Sequence, residues 1–269
     1  MPGRKRQQDL GNMASLSERQ RDILGRVRAA GHAEIGALAR LYDVSPQTIR
    51  RDVNALCAAD ALRRVHGGVE LPRQGANLHY ASRRSLNEGA KRAIAEAFAA
   101  LIPSGVSLAA SIGTTPSYAI QALEGQRDLT ILTNNLNVAI CACDRESWQV
   151  QLPGGTVRPD DRDILGPGVE AFFARYQVDF GVFGVGGVAE DGTLLDFTEE
   201  EVAARRAIAG NCRRSVLLLD RTKFGRPAHV RGGHLTEVDH VICDAPLPGA
   251  LAAALAARGG EMTITGEAQ

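Results

Sequence analysis

The stretch from Asp43 to Leu56 is the strongest constraint on how this chain folds, because it reads as a short turn that leads into an amphipathic helix. Ser45 suits the N-cap of such a helix, and Pro46 suits its first position, where no amide hydrogen is needed. At about 100° per residue, apolar side chains gather on one stripe and polar side chains on the other. The apolar stripe consists of Ile49, Val53 and Leu56. The polar side consists of Gln47, Arg50, Arg51 and Asn54. One face is therefore predicted to pack while the other faces outward.

The outward face of this helix carries the side-chain types that read DNA. Arg, Gln and Asn contact phosphate oxygens and bind the edges of guanine and adenine in the major groove. The predicted DNA contacts of the turn and helix are Ser45, Gln47, Thr48, Arg50, Arg51 and Asn54. A solvated amphipathic helix with no partner shows the same pattern, so this helix alone leaves both interpretations open.

The segments before this helix favour the DNA-binding interpretation. A first helix is predicted from Leu16, with Ile23, Leu24 and Val27 on one side and Gly31 at its end. A second apolar pattern runs from Glu34 to Tyr42 and enters the turn. Helix, turn and helix then follow at the spacing that DNA-binding units use.

A basic hairpin is predicted after the reading helix, from Leu62 to Leu71, with two short strands around a glycine turn. Its side chains Arg63, Arg64 and His66 are candidates for contacts with phosphates or the minor groove. A hairpin that only closes the helical core would look similar. The pattern nevertheless matches the wing of a winged helix-turn-helix domain.

Several separate motifs in this region resemble one known signature. They are Arg19 with Leu24, Val44-Ser45, Thr48-Ile49-Arg50-Arg51-Asp52, and Arg64-Val65-His66-Gly67-Gly68. Together they are similar to the winged helix-turn-helix of the DeoR family of bacterial transcriptional regulators. The resemblance implies a DNA-binding domain over residues 15–72 whose partner is double-stranded operator DNA. It also implies a homo-oligomer, a dimer or a tetramer, since a two-fold operator needs a matching two-fold protein.

Length and composition exclude several other classes. The chain has 269 residues, of which 44% are hydrophobic and 4% aromatic, so two domains are expected. No apolar run approaches the roughly 20 residues of a membrane-spanning helix, and the polar start lacks the centre of a signal peptide. We expect a soluble, cytoplasmic protein without a membrane partner. The five cysteines lack zinc-site spacing, so neither a metal site nor a cofactor is expected.

The net charge of zero conceals a division between the two parts of the chain. Residues 1–75 hold thirteen Lys and Arg residues against eight Asp and Glu residues, a net charge of +5, which leaves −5 for the remainder. A positive first domain suits the phosphate backbone of DNA, and a negative second domain suits a different role. This division supports the DNA-binding interpretation weakly.

The second part is predicted as a linker over residues 73–87 and an α/β domain over residues 88–263. Its first helix is predicted from Glu88 to Ile102, with Lys91 exposed to solvent. Strands are predicted at Val106–Ala110, Leu129–Leu132, Gln149–Leu152, Phe180–Val185, Val216–Leu219 and His240–Cys243. Helices are predicted near Pro116–Leu123, Asn137–Cys143, Pro167–Tyr176, Glu201–Asn211 and Leu247–Arg258. This alternation predicts a mostly parallel sheet covered by helices, which binds ligands at the carboxyl ends of its strands.

Small and polar residues follow these strands and suggest an anion site. The candidate effector-binding residues are Ser111, Gly113, Thr114, Thr115, Asn134, Asn135, Gly154, Gly155, Gly186, Gly187 and Lys223. The Gly113 turn opens a helix, so its amides and hydroxyls are placed to surround a phosphate. Lys223 would add a point charge. A single glycine turn is more often plain strand-to-helix punctuation, and a lone lysine is more often a surface residue.

The second part also resembles the effector-sensing domain of the DeoR family, which is related in fold to ribose-5-phosphate isomerase. The resemblance rests on Ile112–Pro116, Thr133–Ala139, Asp179–Gly181, Asp191-Gly192, Lys223–Arg226 and Asp244–Pro246. Several of these motifs are similar to the branch of the family that responds to glycerol 3-phosphate. Ser111 and Arg205 depart from the family pattern, which usually has Asp and often has Lys there.

Three functions are compatible with these features. The leading one is a repressor whose operator binding is relieved by a phosphorylated metabolite, with glycerol 3-phosphate first; the second is the same repressor with a sugar phosphate as effector. The third is an isomerase-like enzyme fused to a DNA-binding domain. Its candidate acid and base groups are Asp191, Asp196, Glu199, Glu200 and Glu201. Because a helix N-terminus favours such an acidic stretch anyway, no catalytic residue is assigned and the chain is not expected to be an enzyme.

Overall fold

The chain divides into two compact units, Met1–Leu78 and His79–Gln269, in a computed structural model. The structure describes residues 17–58, 61–65, 67–70 and 80–266. Within these residues, no helix combines the length and the apolar character that crossing a membrane requires.

The described residues of the first unit form three helices and a small antiparallel sheet. Its elements are α1 (Glu18–Ala30), β1 (His32–Glu34), α2 (Ile35–Leu41), α3 (Pro46–Ala58), β2 (Arg63–Val65) and β3 (Gly68–Glu70). The sheet order is β1-β3-β2, so the predicted hairpin β2–β3 is confirmed. Strand β1 was not expected, because three residues are too few to show a period of two.

Local sequence signals determine where the helices of the first unit begin and end. Ser17 and Gln20 form a capping box at the start of α1, and Gly31 ends it in a left-handed conformation with φ of 77°. The Ser45 hydroxyl accepts the Thr48 amide at 3.2 Å, which confirms Ser45 as the cap of α3. The apolar faces of the three helices and the hairpin then meet in one core.

The second unit is built on a seven-stranded parallel sheet with the order β15-β14-β12-β9-β4-β5-β6. Its helices are α4 (Tyr80–Ser85), α5 (Glu88–Leu101), α6 (Thr114–Gln121), α7 (Leu136–Cys143), α8 (Pro167–Phe173), α9 (Glu199–Gly210) and α10 (Gly249–Ala257). Its main strands are β4 (Ser107–Ala110), β5 (Thr130–Thr133), β6 (Gln149–Gln151), β9 (Val178–Phe183), β12 (Cys212–Leu219), β14 (His240–Cys243) and β15 (Glu261–Ile264). The predicted parallel sheet is confirmed, and β15 adds a strand at one edge.

Smaller elements surround this sheet and were not predicted. A hairpin consists of β7 (Val157–Arg158) and β8 (Asp163–Ile164), and an antiparallel sheet consists of β10 (Gly187–Val188), β11 (Thr193–Asp196) and β13 (Val230–His234). Helix α4 lies within the segment predicted as a linker and belongs to the second unit. A turn of 3-10 helix, Arg221–Lys223, follows β12.

Both faces of the parallel sheet are covered, because successive side chains of a strand point to opposite faces. In β12, Val216 and Leu218 join the core under α5, α6 and α7. Leu217 and Leu219 join the core under α8, α9 and α10. The continuous apolar sequence of this strand is therefore that of a strand buried on both sides.

The strand order places a crevice between β4 and β9. The chain moves from β4 to β5 and β6 in one direction, while β9, β12, β14 and β15 extend in the other. Ligands of open parallel sheets bind outside the carboxyl ends of the strands at such a switch point. Just beyond β4, the Ser111 amide donates to the Val182 carbonyl of β9 at 2.9 Å, so the first candidate loop lies at this crevice.

Candidate DNA interface and effector site

Helix α3 buries its apolar stripe and exposes the polar residues predicted to read DNA. Ile49, Val53 and Leu56 are fully buried. Ser45, Gln47, Arg50, Arg51 and Asn54 are exposed, and Thr48 is half-buried beside its capping partner. The side chains of Gln47, Arg50 and Arg51 make no hydrogen bond or ion pair with any residue that the structure describes. Their donors are therefore available to a partner outside this chain.

A buried carboxylate fixes α3 against the first helix. Asp52 is only 7% exposed, and it accepts hydrogen bonds from Arg19 Nε at 2.6 Å and from Gln20 Nε2 at 3.2 Å. Charge-assisted bonds of this kind are stronger than neutral ones. The resemblance pointed to Arg19 and Asp52 as signature residues, but no sequence pattern indicated that they pair.

The hairpin contributes one arginine to α3 and holds another within itself. Arg64 Nη2 donates to the Asn54 side chain at 2.5 Å and to the Arg50 carbonyl at 3.4 Å. Arg63 pairs with Glu70 across the hairpin. A DNA contact by Arg63 would have to exchange this partner for a phosphate. His66, the third predicted contact of the wing, lies outside the described residues.

The loop after β4 has the form of an anion cradle. Gly113 has φ of 113° and is followed by α6, so the free amides of the helix start face the loop. The side chains of Ser111, Thr114 and Thr115 are at most 6% exposed. Their hydroxyls form no hydrogen bond within the described part of the chain. Hydroxyls that have no partner within the chain can donate to a bound anion, which makes these three candidates for a ligand.

Two asparagines after β5 have different surroundings. Both polar atoms of the Asn135 side chain are hydrogen-bonded. Its amide donates to the Gly113 carbonyl at 3.2 Å and to Ser117 Oγ at 3.1 Å, and its oxygen caps α7. This side chain shapes the cradle. The Asn134 amide donates to the Ile164 carbonyl at 2.9 Å, whereas its buried oxygen has no hydrogen-bond partner among the described residues. This oxygen is therefore a candidate acceptor for a ligand hydroxyl.

The predicted effector glycines form two pairs, Gly186-Gly187 and Gly154-Gly155, which have different surroundings. A Cβ on Gly187 would lie 2.2 Å from the Arg226 carbonyl, and one on Gly186 would lie 2.9 Å from the Leu195 carbonyl. These glycines allow close packing around Arg226, whose guanidinium donates to the Gly186 carbonyl at 3.3 Å. Gly154 and Gly155 are exposed beyond the edge strand β6. Strand β6 is the second strand from β4 on that side of the crevice. Gly154 and Gly155 are therefore the outermost of the predicted effector residues.

Lys223 lies in a cluster of positive groups after β12, the second strand from β4. Burial lowers its pKa to about 7, and the charge of Arg226 adds to this effect. Arg83 and Lys91 act in the same direction, and only Asp220 opposes them. Since neighbouring strands lie about 4.8 Å apart, this turn and the Gly113 loop are separated by roughly 10 Å along one sheet edge. The excess of positive charge suits a dianion.

Lys91 is not exposed, contrary to the prediction. It is 4% exposed, and its ammonium donates to the carbonyls of Arg83 and Leu86. Burial lowers its pKa to about 8. The helical period contained the signal, because Lys91, Ile94, Ala95 and Phe98 fall on one buried stripe of α5. A lysine on such a stripe needs internal acceptors, and the end of α4 provides them.

The acidic stretch proposed for an enzyme is engaged in the fold. Asp196 accepts from Arg205 Nε and from the Gly186 amide, both at 2.9 Å. Glu201 accepts from the Phe197 amide at 3.0 Å and from Arg158 at 3.2 Å. Arg205, which departs from the family pattern, is 4% exposed and also binds the Gly232 carbonyl. These groups hold the small antiparallel sheet against α9.

Two family domains match this chain in sequence. Residues 19–75 match the DeoR-like helix-turn-helix domain. Residues 86–245 match the DeoR C terminal sensor domain. The two matches cover the first unit's helices and hairpin and most of the parallel sheet.

Several curated relatives are similar over nearly their whole length. The glycerol-3-phosphate regulon repressor of Escherichia coli is 39% identical over 86% of this chain and 92% of its own. The protein of that name from Haemophilus influenzae is 40% identical over 84% and 88%. The HTH-type transcriptional repressor CsqR of Escherichia coli is 34% identical over 87% and 89%. Among solved structures, ribose 5-phosphate isomerase A of Methanocaldococcus jannaschii aligns with a TM-score of 0.38 at 17% identity, over 52% of this chain and 56% of its own.

Proposed function

Because this chain belongs to the DeoR family, we propose that it is a transcriptional repressor that releases its operator when glycerol 3-phosphate binds the second unit. The observation that carries the proposal is the 39–40% identity to glycerol-3-phosphate regulon repressors over at least 84% of the chain. Two independent features of the structure support it. One is the exposed polar face of α3, and the other is the positive crevice of the parallel sheet.

The DNA-binding role rests on α3 and the hairpin. Gln47, Arg50 and Arg51 provide unpaired donors on a helix of the kind that enters the major groove. Arg64 and Asn54 are joined to each other and therefore act as one unit that connects the hairpin with the reading helix. Ser45 and Thr48 lie at the helix start, where backbone amides favour a phosphate.

The effector role rests on groups suited to the two ends of glycerol 3-phosphate. The Gly113 loop offers amides and three unpaired hydroxyls to the phosphate, and Lys223 offers a charge. The Asn134 oxygen offers an acceptor to a hydroxyl of the glycerol end. A phosphate monoester needs several donors and a cation, and this edge of the sheet supplies both.

A ligand panel tests the effector. Wild-type protein is mixed with labelled operator DNA, and release is followed by anisotropy during titration with glycerol 3-phosphate, several sugar phosphates, glycerol and inorganic phosphate at fixed salt. Release by glycerol 3-phosphate alone is expected, together with a rise in melting temperature of the free protein. Release by a sugar phosphate only would replace the first function with the second. Release by none would refute the effector proposal.

The enzyme alternative lacks support in both comparisons and geometry. The curated relatives named above are repressors. Asp196 and Glu201 form ion pairs with Arg205 and Arg158, so these two carboxylates serve the fold. Ribose 5-phosphate isomerisation by the purified protein should therefore be undetectable.

We also propose that the repressor acts in the cytoplasm as a dimer or tetramer. A two-fold operator requires a protein with matching symmetry. Light scattering at micromolar concentration should give at least twice the mass of the 28.6 kDa chain. A monomer with full operator affinity would contradict this part of the proposal.

A further inference from the structure

The segment Tyr80–Asn87, here called the strap, lies at the start of the second unit in sequence and is hydrogen-bonded to the effector loops. It is the first described segment after the hairpin of the DNA-binding domain. At its start, the Tyr80 hydroxyl donates to Ser117 Oγ at 2.9 Å. Ser117 in turn donates to the Gly113 carbonyl at 2.8 Å. Two hydroxyls thus connect the strap with the anion cradle.

This hydroxyl chain is buried and closed to water. Tyr80 is 5% exposed and Ser117 is 2% exposed. The Asn135 amide donates to both Ser117 Oγ and the Gly113 carbonyl, so the chain has a fixed direction. A buried donor that loses its acceptor is energetically unfavourable. Movement of the Gly113 peptide therefore shifts Ser117 and Tyr80 together.

The other end of the strap is joined to the second part of the effector site. Asn87 Nδ2 donates to Asp220 Oδ1 and to Thr222 Oγ1, both at 3.1 Å. These acceptors belong to the turn that carries Lys223. In its middle, the carbonyls of Arg83 and Leu86 accept from buried Lys91. A ligand between the Gly113 loop and Lys223 would contact loops that hold both ends of the strap.

We infer that the strap transmits effector occupancy to the DNA-binding domain and that the Tyr80 hydroxyl is the group that couples it to the cradle. This inference rests on the proposed function for the identity of the effector. Allostery requires an element whose arrangement both ligands affect. On the effector side, the strap meets this condition by its hydrogen bonds to the effector loops. On the DNA side, it follows the DNA-binding domain in the chain.

The test compares two tyrosine-to-phenylalanine variants. Tyr80→Phe removes only the coupling hydroxyl, and Ser117 keeps the Gly113 carbonyl as its acceptor. Tyr176→Phe is the matched control, because the Tyr176 hydroxyl makes no hydrogen bond with any described residue. The measured quantity is the ratio of glycerol 3-phosphate dissociation constants with and without operator, which is about 5 to 150 in ordinary allosteric regulators.

In Tyr80→Phe this ratio is expected to fall to about 2 or below, while operator affinity without ligand stays at the wild-type value. Ser117→Ala should lower the ratio as well, and the double variant should lose no more than either single variant, since both remove one connection. Tyr176→Phe should keep the wild-type ratio. A ratio in Tyr80→Phe equal to wild type would overturn the inference, because a purely structural tyrosine would change stability and leave coupling intact.

A second measurement decides the inference without an effector. Hydrogen exchange of the Gly113–Ser117 amides should accelerate several-fold in Tyr80→Phe, and that of the strap should accelerate in Ser117→Ala. If the wild-type protein does not release operator on addition of glycerol 3-phosphate, the proposed effector is refuted. The exchange measurement still tests whether the strap is coupled to the Gly113 loop. Unchanged exchange in both segments would overturn the coupling.

Discussion

The two units of this chain present their functional groups in opposite ways. In the DNA-binding unit, Gln47, Arg50 and Arg51 are exposed and have no partner within the described residues. In the sensing unit, Ser111, Thr114 and Thr115 are buried, and Lys223 lies in a crowded turn with a depressed pKa. Nucleic acid is a large external ligand that an exposed face can meet, whereas a small metabolite must be surrounded.

Because of this difference, a substitution at a functional residue of the DNA-binding unit should change binding without changing stability. A substitution at a functional residue of the sensing unit should change both. Removing an exposed arginine takes away a contact with DNA and changes few contacts of the fold. Removing a buried polar group of the sensing unit changes its neighbours' hydrogen bonds as well. Substitutions in the two units are therefore expected to differ in their ratio of stability loss to functional loss.

The largest expected effect is that of Arg205→Ala. It leaves buried Asp196 without its ion pair and the Gly232 carbonyl without its donor. Breaking a buried pair in this way costs about 3–5 kcal/mol. Urea denaturation should show this loss in the transition of the sensing unit. A loss below about 1 kcal/mol would mean that the buried pair is not what holds the small sheet against α9.

Arg51→Ala should produce the opposite result, a loss of function without a loss of stability. Specific operator binding should weaken by about 1–3 kcal/mol for each contact removed, which abolishes a footprint at working concentrations. The melting temperature should stay within about 1 °C of wild type, because exposed substitutions rarely change stability. Arg258→Ala, an exposed arginine of the sensing unit, is the control. A wild-type footprint from folded Arg51→Ala would show that α3 does not read the operator through this residue.

Lys223→Met should gain stability while it loses the response to effector. In the folded chain the Lys223 pKa is about 7, against an ordinary 10.5. Between these values the unfolded chain binds more protons, so wild-type stability rises with pH through this window. The variant lacks this dependence and should be more stable than wild type at pH 7, with the difference shrinking toward pH 10.

Chemical denaturation of both proteins from pH 6 to pH 10 measures this difference. Operator release by glycerol 3-phosphate, recorded in parallel, should persist in wild type and be absent in Lys223→Met. A variant that is less stable than wild type at pH 7, or one that releases operator at the wild-type ligand concentration, would contradict the role of Lys223 as a strained cation of the effector site.

Ser45→Ala should show the smallest effect, and it should lower both stability and operator binding. Its hydroxyl is exposed, yet it caps α3 by accepting the Thr48 amide at 3.2 Å. Loss of such a cap costs about 1 kcal/mol. Thermal melting and operator titration should therefore both show modest losses. Ser45→Asn, which restores a capping acceptor, should recover stability, and failure to do so would argue against the cap.

The larger helices and strands and their order were predictable from the sequence. The turn chemistry at Ser45 and Gly31 and the 3.6-residue period of α3 are local features, so they predicted the reading helix and its two faces. The alternation of apolar runs and helical patterns predicted the parallel sheet. Since carboxyl ends of parallel strands share one edge, this also placed the Gly113 loop and Lys223 on the same side.

Which polar groups meet depends on tertiary packing. Tyr80 and Ser117 are 37 positions apart, and Arg19 and Asp52 are 33 apart. No period or turn motif relates residues at such separations, because their distance depends on how whole elements pack. Lys91 shows the limit most clearly: its place on the apolar stripe of α5 was visible in the sequence. Its acceptors are the carbonyls of Arg83, in α4, and of Leu86, just after α4, and only the fold brings them to the Lys91 ammonium.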